Sequence, residues 1–155
     1  MKAIRDGVTI EATALEAWEA WTTVAGLRSF LAPQARMELR IGGPFEAYFD
    51  PEAPKGSRGS EGMKVLSFVP EEMLSFTWTA PPEYPEVRGE KMWVVLQFEQ
   101  VAPRHTRIAL THLGWREGGQ WDDVFHYFTR AWRTVLGRLE YRFAVGPVDW
   151  ANPPR

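Results

Sequence analysis

The segment QWDDVFHYFTRAWRTVLGRLEYRF, residues 120–143, decides how this chain folds. Within it Trp121, Val124, Phe125, Phe128, Trp132, Val135, Leu136, Leu139 and Phe143 recur at helical spacing. A period of 3.6 residues gathers them into one apolar stripe. Arg130, Arg133, Glu140 and Arg142 take the wetter side. Gly118-Gly119 breaks the preceding run, and a tail from Gly146 with three prolines cannot prolong the helix. Such a helix spans roughly 35 Å, at about 1.5 Å per residue.

Upstream the period changes to two. Arg36 to Ile41 alternates strictly, with Met37, Leu39 and Ile41 on one face and charges on the other, so a half-buried strand is expected there. Gly42-Gly43-Pro44 makes a turn, and Phe45, Ala47 and Phe49 are expected to point inward on the partner strand. Further strands are expected over 62–69 and 73–79, separated by Pro70-Glu71-Glu72. Another, over 91–101, has Val94, Leu96 and Phe98 on one face; a last, over 106–115, has Ile108, Leu110 and His112. At the start, Ile4, Val8 and Ile10 mark a strand. Thr13 then caps a helix running to about Thr22, with Glu16 completing a capping box. Leu15, Trp18 and Trp21 or Thr22 share one side of that helix. A short second helix or turn, 24–31, stops at Pro33.

Seven antiparallel strands with one apolar face need a cover, and only the last helix is long enough. The expected architecture is α+β, one domain over 1–155. A curved antiparallel sheet of about seven strands wraps the C-terminal helix, the helix-grip (START-like, Bet v 1-like) fold. Space left between sheet and helix is a natural small-molecule pocket. Two Pro-rich segments, 50–60 (DPEAPKGSRGS) and 80–90, read as long loops, the first as a mobile one. Expected at an edge of the sheet, they are either a gate to an entrance or, as is commoner, exposed loops with no function.

Eight Trp and nine Phe are many for 155 residues, and large rings both fill cores and line apolar pockets. A formal net charge of −2, with acids and bases interspersed, gives no footprint for nucleic acid. The absence of cysteine removes disulfides and thiolate chemistry and is compatible with a cytoplasmic location. Met1 to Ile10 has no apolar core of a signal peptide, and no stretch approaches the ~20 apolar residues of a membrane span.

The segment Met37-Glu38-Leu39-Arg40-Ile41-Gly42-Gly43-Pro44-Phe45 resembles the E-x-R-x-G-G-x-F signature of activator of heat-shock-protein-90 ATPase homologues, in the START-like (SRPBCC) superfamily. Other segments agree in order: Thr13 to Trp21, Gly26 to Pro33, Gly62 with Pro70 and Leu74 to Trp78, Thr106 to His112, and Trp132 to Leu139. The chain departs from the family pattern at Leu27-Arg28-Ser29-Phe30 and at Arg130-Ala131-Trp132. The resemblance implies the helix-grip fold and, as partner, the heat-shock protein; the expected apolar pocket implies a hydrophobic small molecule.

The residues expected to line a cavity are Met37, Leu39, Phe45, Phe76, Trp78, Val94, Leu110, His112, Phe125, Phe128 and Trp132. His112 is the polar candidate, able to hydrogen-bond a ligand or act as acid or base, with Tyr48 or Tyr127 nearby; the alternative is a histidine satisfied within the core. Glu38 and Arg40 read as an outward ion pair worth about 0–1 kcal/mol. Gly42-Gly43 serves backbone geometry and not a phosphate cradle. Asp122 and Asp123 suit the positive end of the last helix. No metal site, cofactor or nucleophile–base arrangement is expected from His105, His112, His126 and the serines. Three functions stay open: a binder of a lipid-like or aromatic molecule, a co-chaperone-like interaction module, and an enzyme using His112.

Overall fold

The computed structural model describes residues 1–154. Its elements follow the order β1 (Ile4–Ile10), α1 (Ala14–Thr22), α2 (Val24–Arg28), β2 (Gln34–Met37), β3 (Phe45–Tyr48), β4 (Val65–Val69), β5 (Met73–Trp78), β6 (Met92–Ala102), β7 (His105–Leu113) and α3 (Gln120–Ala144). Seven strands form, but not as one continuous sheet. Five make an antiparallel sheet in the order β1-β7-β6-β5-β4, and β2-β3 form a separate ribbon. The ribbon is stitched beside β4 by a Pro44–Lys64 bridge and by hydrogen bonds between Gly42, Gly43 and Val65.

The start of α1 is fixed as its sequence demands. Thr13 Oγ1 accepts from the Glu16 N–H and Glu16 Oε1 accepts from the Thr13 N–H, satisfying two otherwise orphaned donors. Trp18, Trp21 and Thr22 face the core as expected, whereas Leu15 is half exposed.

The strand expected over Arg36–Ile41 ends early. Its ladder closes at Met37–Phe45, because Pro44 has no N–H to extend it. The chain then turns, with the Arg40 N–H donating to Glu38 and the Gly43 N–H to Arg40. Leu39 and Ile41 are therefore exposed at 38% and 73%, not buried as their alternation suggested. Phe49 is likewise 48% exposed, because β3 stops at Tyr48. Glu38 pairs with Arg36 and Arg40 of its own segment rather than across strands. Gly42 takes φ +79°, and a Cβ on Gly43 would sit 2.3 Å from the Glu38 carbonyl, so this turn needs both glycines.

Helix α3 crosses the concave face of the five-stranded sheet, burying Trp121, Val124, Phe128, Trp132, Val135, Leu136 and Leu139. Two ion pairs tie its exposed side to the N-terminal region, Lys2–Asp122 and Arg133–Asp6. Beyond α3 the tail folds back: the Val148 N–H donates to Ser29 and the Trp150 indole to the Arg28 carbonyl.

The expected enclosed cavity between sheet and helix is filled. Phe45 stacks on Phe76 with centroids 3.9 Å apart, Trp78 lies edge-on to both, and Trp132 reaches Trp78 at 5.3 Å. Phe45, Phe76, Val94 and Leu110 are 0–1% exposed. Aromatic rings packed this closely occupy the interior between β3, β5 and α3. The free space lies elsewhere.

Candidate functional site

Below the filled core, the face of α3 that carries Ala131, Thr134 and Arg138 does not reach the sheet. It forms one wall of a groove of about 640 Å³. Opposite stand the 49–60 segment and the 78–83 segment, and Leu31 contributes from the region after α2. Several lining residues, including Arg130, Thr134 and Pro82, are exposed, so the groove opens to solvent. Its volume falls within the ~300–1,000 Å³ typical of small-molecule sites.

The two long loops are tied together. The Arg88 guanidinium donates to the carbonyls of Ala80 (2.6 Å), Gly56 (2.6 Å) and Gly59 (2.9 Å) and pairs with Glu61 at 3.6 Å. Glu61 in turn accepts from the backbone N–H groups of Arg58 and Gly59. Burial alone pushes its carboxyl pKa up, but those N–H bonds prevail and hold it below the ordinary carboxylate value. Ser60 anchors the loop to β3, where its hydroxyl accepts from the Ala47 N–H. The segment read as a mobile hairpin loop is thus a hydrogen-bonded wall.

The groove has an apolar floor and a charged rim. Trp78, Phe128, Trp132 and Val135 supply the floor. Arg58, Arg130 and Arg138 supply cations, and Asp50 and Glu83 supply carboxylates. Arg138 is half-buried, its guanidinium 5.4 Å from the Trp150 ring and its Nε donating to the Pro154 carbonyl. Burial depresses its pKa from the usual guanidinium value. Tyr127 also lines the groove, its phenol pKa raised first by burial and then by Glu83.

Of the residues expected to line a cavity, the structure brings Trp78, Phe128 and Trp132 to the groove. The other eight do not border it. Met37, Phe45, Phe76, Val94 and Leu110 are core, Leu39 is in the exposed turn, and Phe125 packs on Trp115 beyond the groove. His112 is fully buried among Trp115, Phe128 and Trp132. Its Nδ1 accepts from the Trp132 indole N–H at 3.0 Å. Burial pushes its pKa down to about 3, so the ring is neutral at pH 7. An imidazole with this burial and no access to the groove is a core group, not an acid or base for a solute there. Tyr48 does not border the groove either; burial and then its bond to Glu46 push its phenol up to about 12.

Among the described residues no group of three His, Asp or Glu is placed to hold a metal ion, and no helix is long and apolar enough to cross a membrane. Sequence reasoning missed Arg58, Arg88, Arg130, Ala131 and Arg138. The available signal was the four-residue spacing of Arg130, Thr134 and Arg138 beside the apolar stripe, which marks one face of the helix at its edge.

A five-stranded antiparallel sheet gripping a C-terminal helix, with a groove at one side of that helix, defines the helix-grip class. The model of the activator of Hsp90 ATPase homolog 1-like protein family matches residues 11–144, and the chain belongs to that family. Among solved structures, the chain is similar to the Aha1 dimer from Colwellia psychrerythraea (21% identity, 94% of this chain and 98% of that one, TM-score 0.73). It is also similar to protein MLL2253 from Mesorhizobium loti (18% identity, 90% and 94% coverage, TM-score 0.69). A third is an HSP90 activator from Plasmodium falciparum (16% identity, 95% and 98% coverage, TM-score 0.68). At these identities the likeness speaks for the fold alone. No curated protein matches the sequence.

Proposed function

We propose that the chain binds a small apolar or aromatic molecule, and that the site is the groove between α3 and the loops 49–60 and 78–83. The observation that carries this is the floor of Trp78, Phe128, Trp132 and Val135, which faces a 640 Å³ space framed by loops held in place by Arg88. These side chains are only 1–8% exposed, so what they present to the groove is their edges, an apolar and rigid base for a flat apolar partner. The rings that fill the core between sheet and helix are support, and the ligand sits beside them.

The test uses N-phenyl-1-naphthylamine, an uncharged probe that fluoresces in apolar sites. It is expected to bind one equivalent at micromolar concentration. An Ala131→Trp substitution places an indole in the groove and is expected to abolish binding while the circular dichroism spectrum is retained. No saturable binding by the parent protein, or unchanged binding by A131W, would overturn the reading. Native mass spectrometry of the purified protein then identifies any co-purified molecule.

A second reading is favoured by the family match and by the Plasmodium falciparum structural neighbour described as an HSP90 activator. On that reading the chain contacts the heat-shock protein, and the exposed Leu39 and Ile41 are available side chains for the contact. Stimulation of the cognate chaperone's ATPase rate by the purified chain tests it, and no stimulation at saturating concentration sinks it.

A further inference from the structure

We propose that the groove selects an amphipathic organic anion: an apolar body on the aromatic floor, with a negatively charged head at the rim formed by Arg130, Arg138 and Arg58. This rests on the groove being the ligand site and adds the chemical class of the ligand.

Three observations carry it. The groove is lined by three arginines and two acidic residues, an excess of positive charge in a chain whose formal net charge is −2. Among the described residues none of the three arginines is within ion-pair distance of a carboxylate, although Asp50 and Glu83 border the same space. Arg88, which also lies between the loops, shows the contrast: its guanidinium is saturated by three carbonyls and Glu61.

Arg138 adds the decisive detail. It is half-buried, backed by the Trp150 ring and held at Nε by the Pro154 carbonyl. A half-buried guanidinium with no carboxylate within ion-pair distance among the described residues is suited to a charge-assisted bond with a ligand anion. The tail holds this guanidinium through the ring and through Nε, leaving its terminal N–H groups for a planar or tetrahedral oxyanion. Arg130 and Thr134 continue the same α3 face, each four residues apart, so the rim runs parallel to the floor formed by Phe128, Trp132 and Val135. An elongated ligand with one charged end satisfies both at once.

A matched pair of probes tests the inference: 8-anilinonaphthalene-1-sulfonate and its uncharged parent, N-phenyl-1-naphthylamine. The sulfonate is expected to bind about tenfold more tightly than the parent, the effect of one charge-assisted hydrogen bond. Arg138→Gln and, separately, the exposed Arg130→Gln are each expected to reduce sulfonate affinity several-fold more than they reduce affinity for the neutral probe. Arg104→Gln, outside the groove, is the control and is expected to alter neither. Raising the salt concentration is expected to weaken only the sulfonate. If both probes bind equally and both groove variants are silent, the anion inference falls while the groove stands as an apolar site. Should R104Q reduce sulfonate binding as much as R130Q and R138Q, the charge effect is a general surface one and the inference also falls. Failure of the neutral probe to bind at all removes the underlying reading.

Discussion

Trp132 donates its indole N–H to Nδ1 of His112 at 3.0 Å, joining α3 to β7 in the interior of the protein. His112 is fully buried and Trp132 is 1% exposed, so neither partner can turn to water if the other is lost. The bond also fixes the tautomer, leaving the proton on Nε2, which has no acceptor in the structure.

Replacing Trp132 with Phe leaves Nδ1 without a donor and opens a small void at the helix–sheet contact. The expected loss is about 2–4 kcal/mol. Urea denaturation measures it, and a change below roughly 0.5 kcal/mol would show that the bond contributes nothing net.

His112 gives the protein a pH dependence with a definite sign. Its pKa is pushed down to about 3 in the fold from the ordinary value of 6.5, so the unfolded chain binds the proton first. Stability is fully present above about pH 6.5 and declines as pH falls toward 3. Glu61, whose carboxyl pKa is lowered in the fold from 4.5, adds to the loss in the lower part of that range. Melting curves from pH 7 to pH 4 are expected to fall steadily for the parent chain. For His112→Phe the slope between pH 6.5 and 5 is expected to flatten.

Arg88 joins loops that are about thirty residues apart in sequence, through the carbonyls of Gly56, Gly59 and Ala80. Arg88→Met removes those bonds and leaves Glu61 without its cation. Trypsin is expected to cut the variant at Lys55 and Arg58 at least several-fold faster than the parent, because cleavage follows local opening. Equal rates would mean that the loop is held by its own hydrogen bonds alone.

The contrast between Leu39 and Phe45 tests where the ribbon turns. Leu39→Ser, in the exposed turn, is expected to change stability by no more than about 0.5 kcal/mol. Phe45→Ala removes a ring that is 0% exposed and stacked on Phe76, at an expected cost of about 3–5 kcal/mol. Comparable effects at the two positions would contradict the register of β2 and β3.

Thr13→Ala deletes the reciprocal cap on α1. The expected cost is about 1 kcal/mol. It is expected to appear as a lower denaturation midpoint with an unchanged slope, since no other surface is altered.

The residues alone determined the elements and their cover. The apolar stripe from Trp121 to Leu139 and the alternation of Val94, Leu96 and Phe98 against Ile108 and Leu110 are local periodicities, and the folded elements obey them. The capping box at Thr13 and Glu16 was equally legible, being a contact between near neighbours. Alternation misled at Leu39 and Ile41, because a strand needs a partner as well as a pattern, and Pro44 ends the pairing. Only the tertiary structure decided where the empty space lies. Whether an interior is hollow depends on how rings from distant segments meet, as Phe45, Phe76, Trp78 and Trp132 do. The groove likewise exists because Arg88 pulls two loops together and the tail positions Arg138, long-range contacts that leave no periodic trace in the sequence.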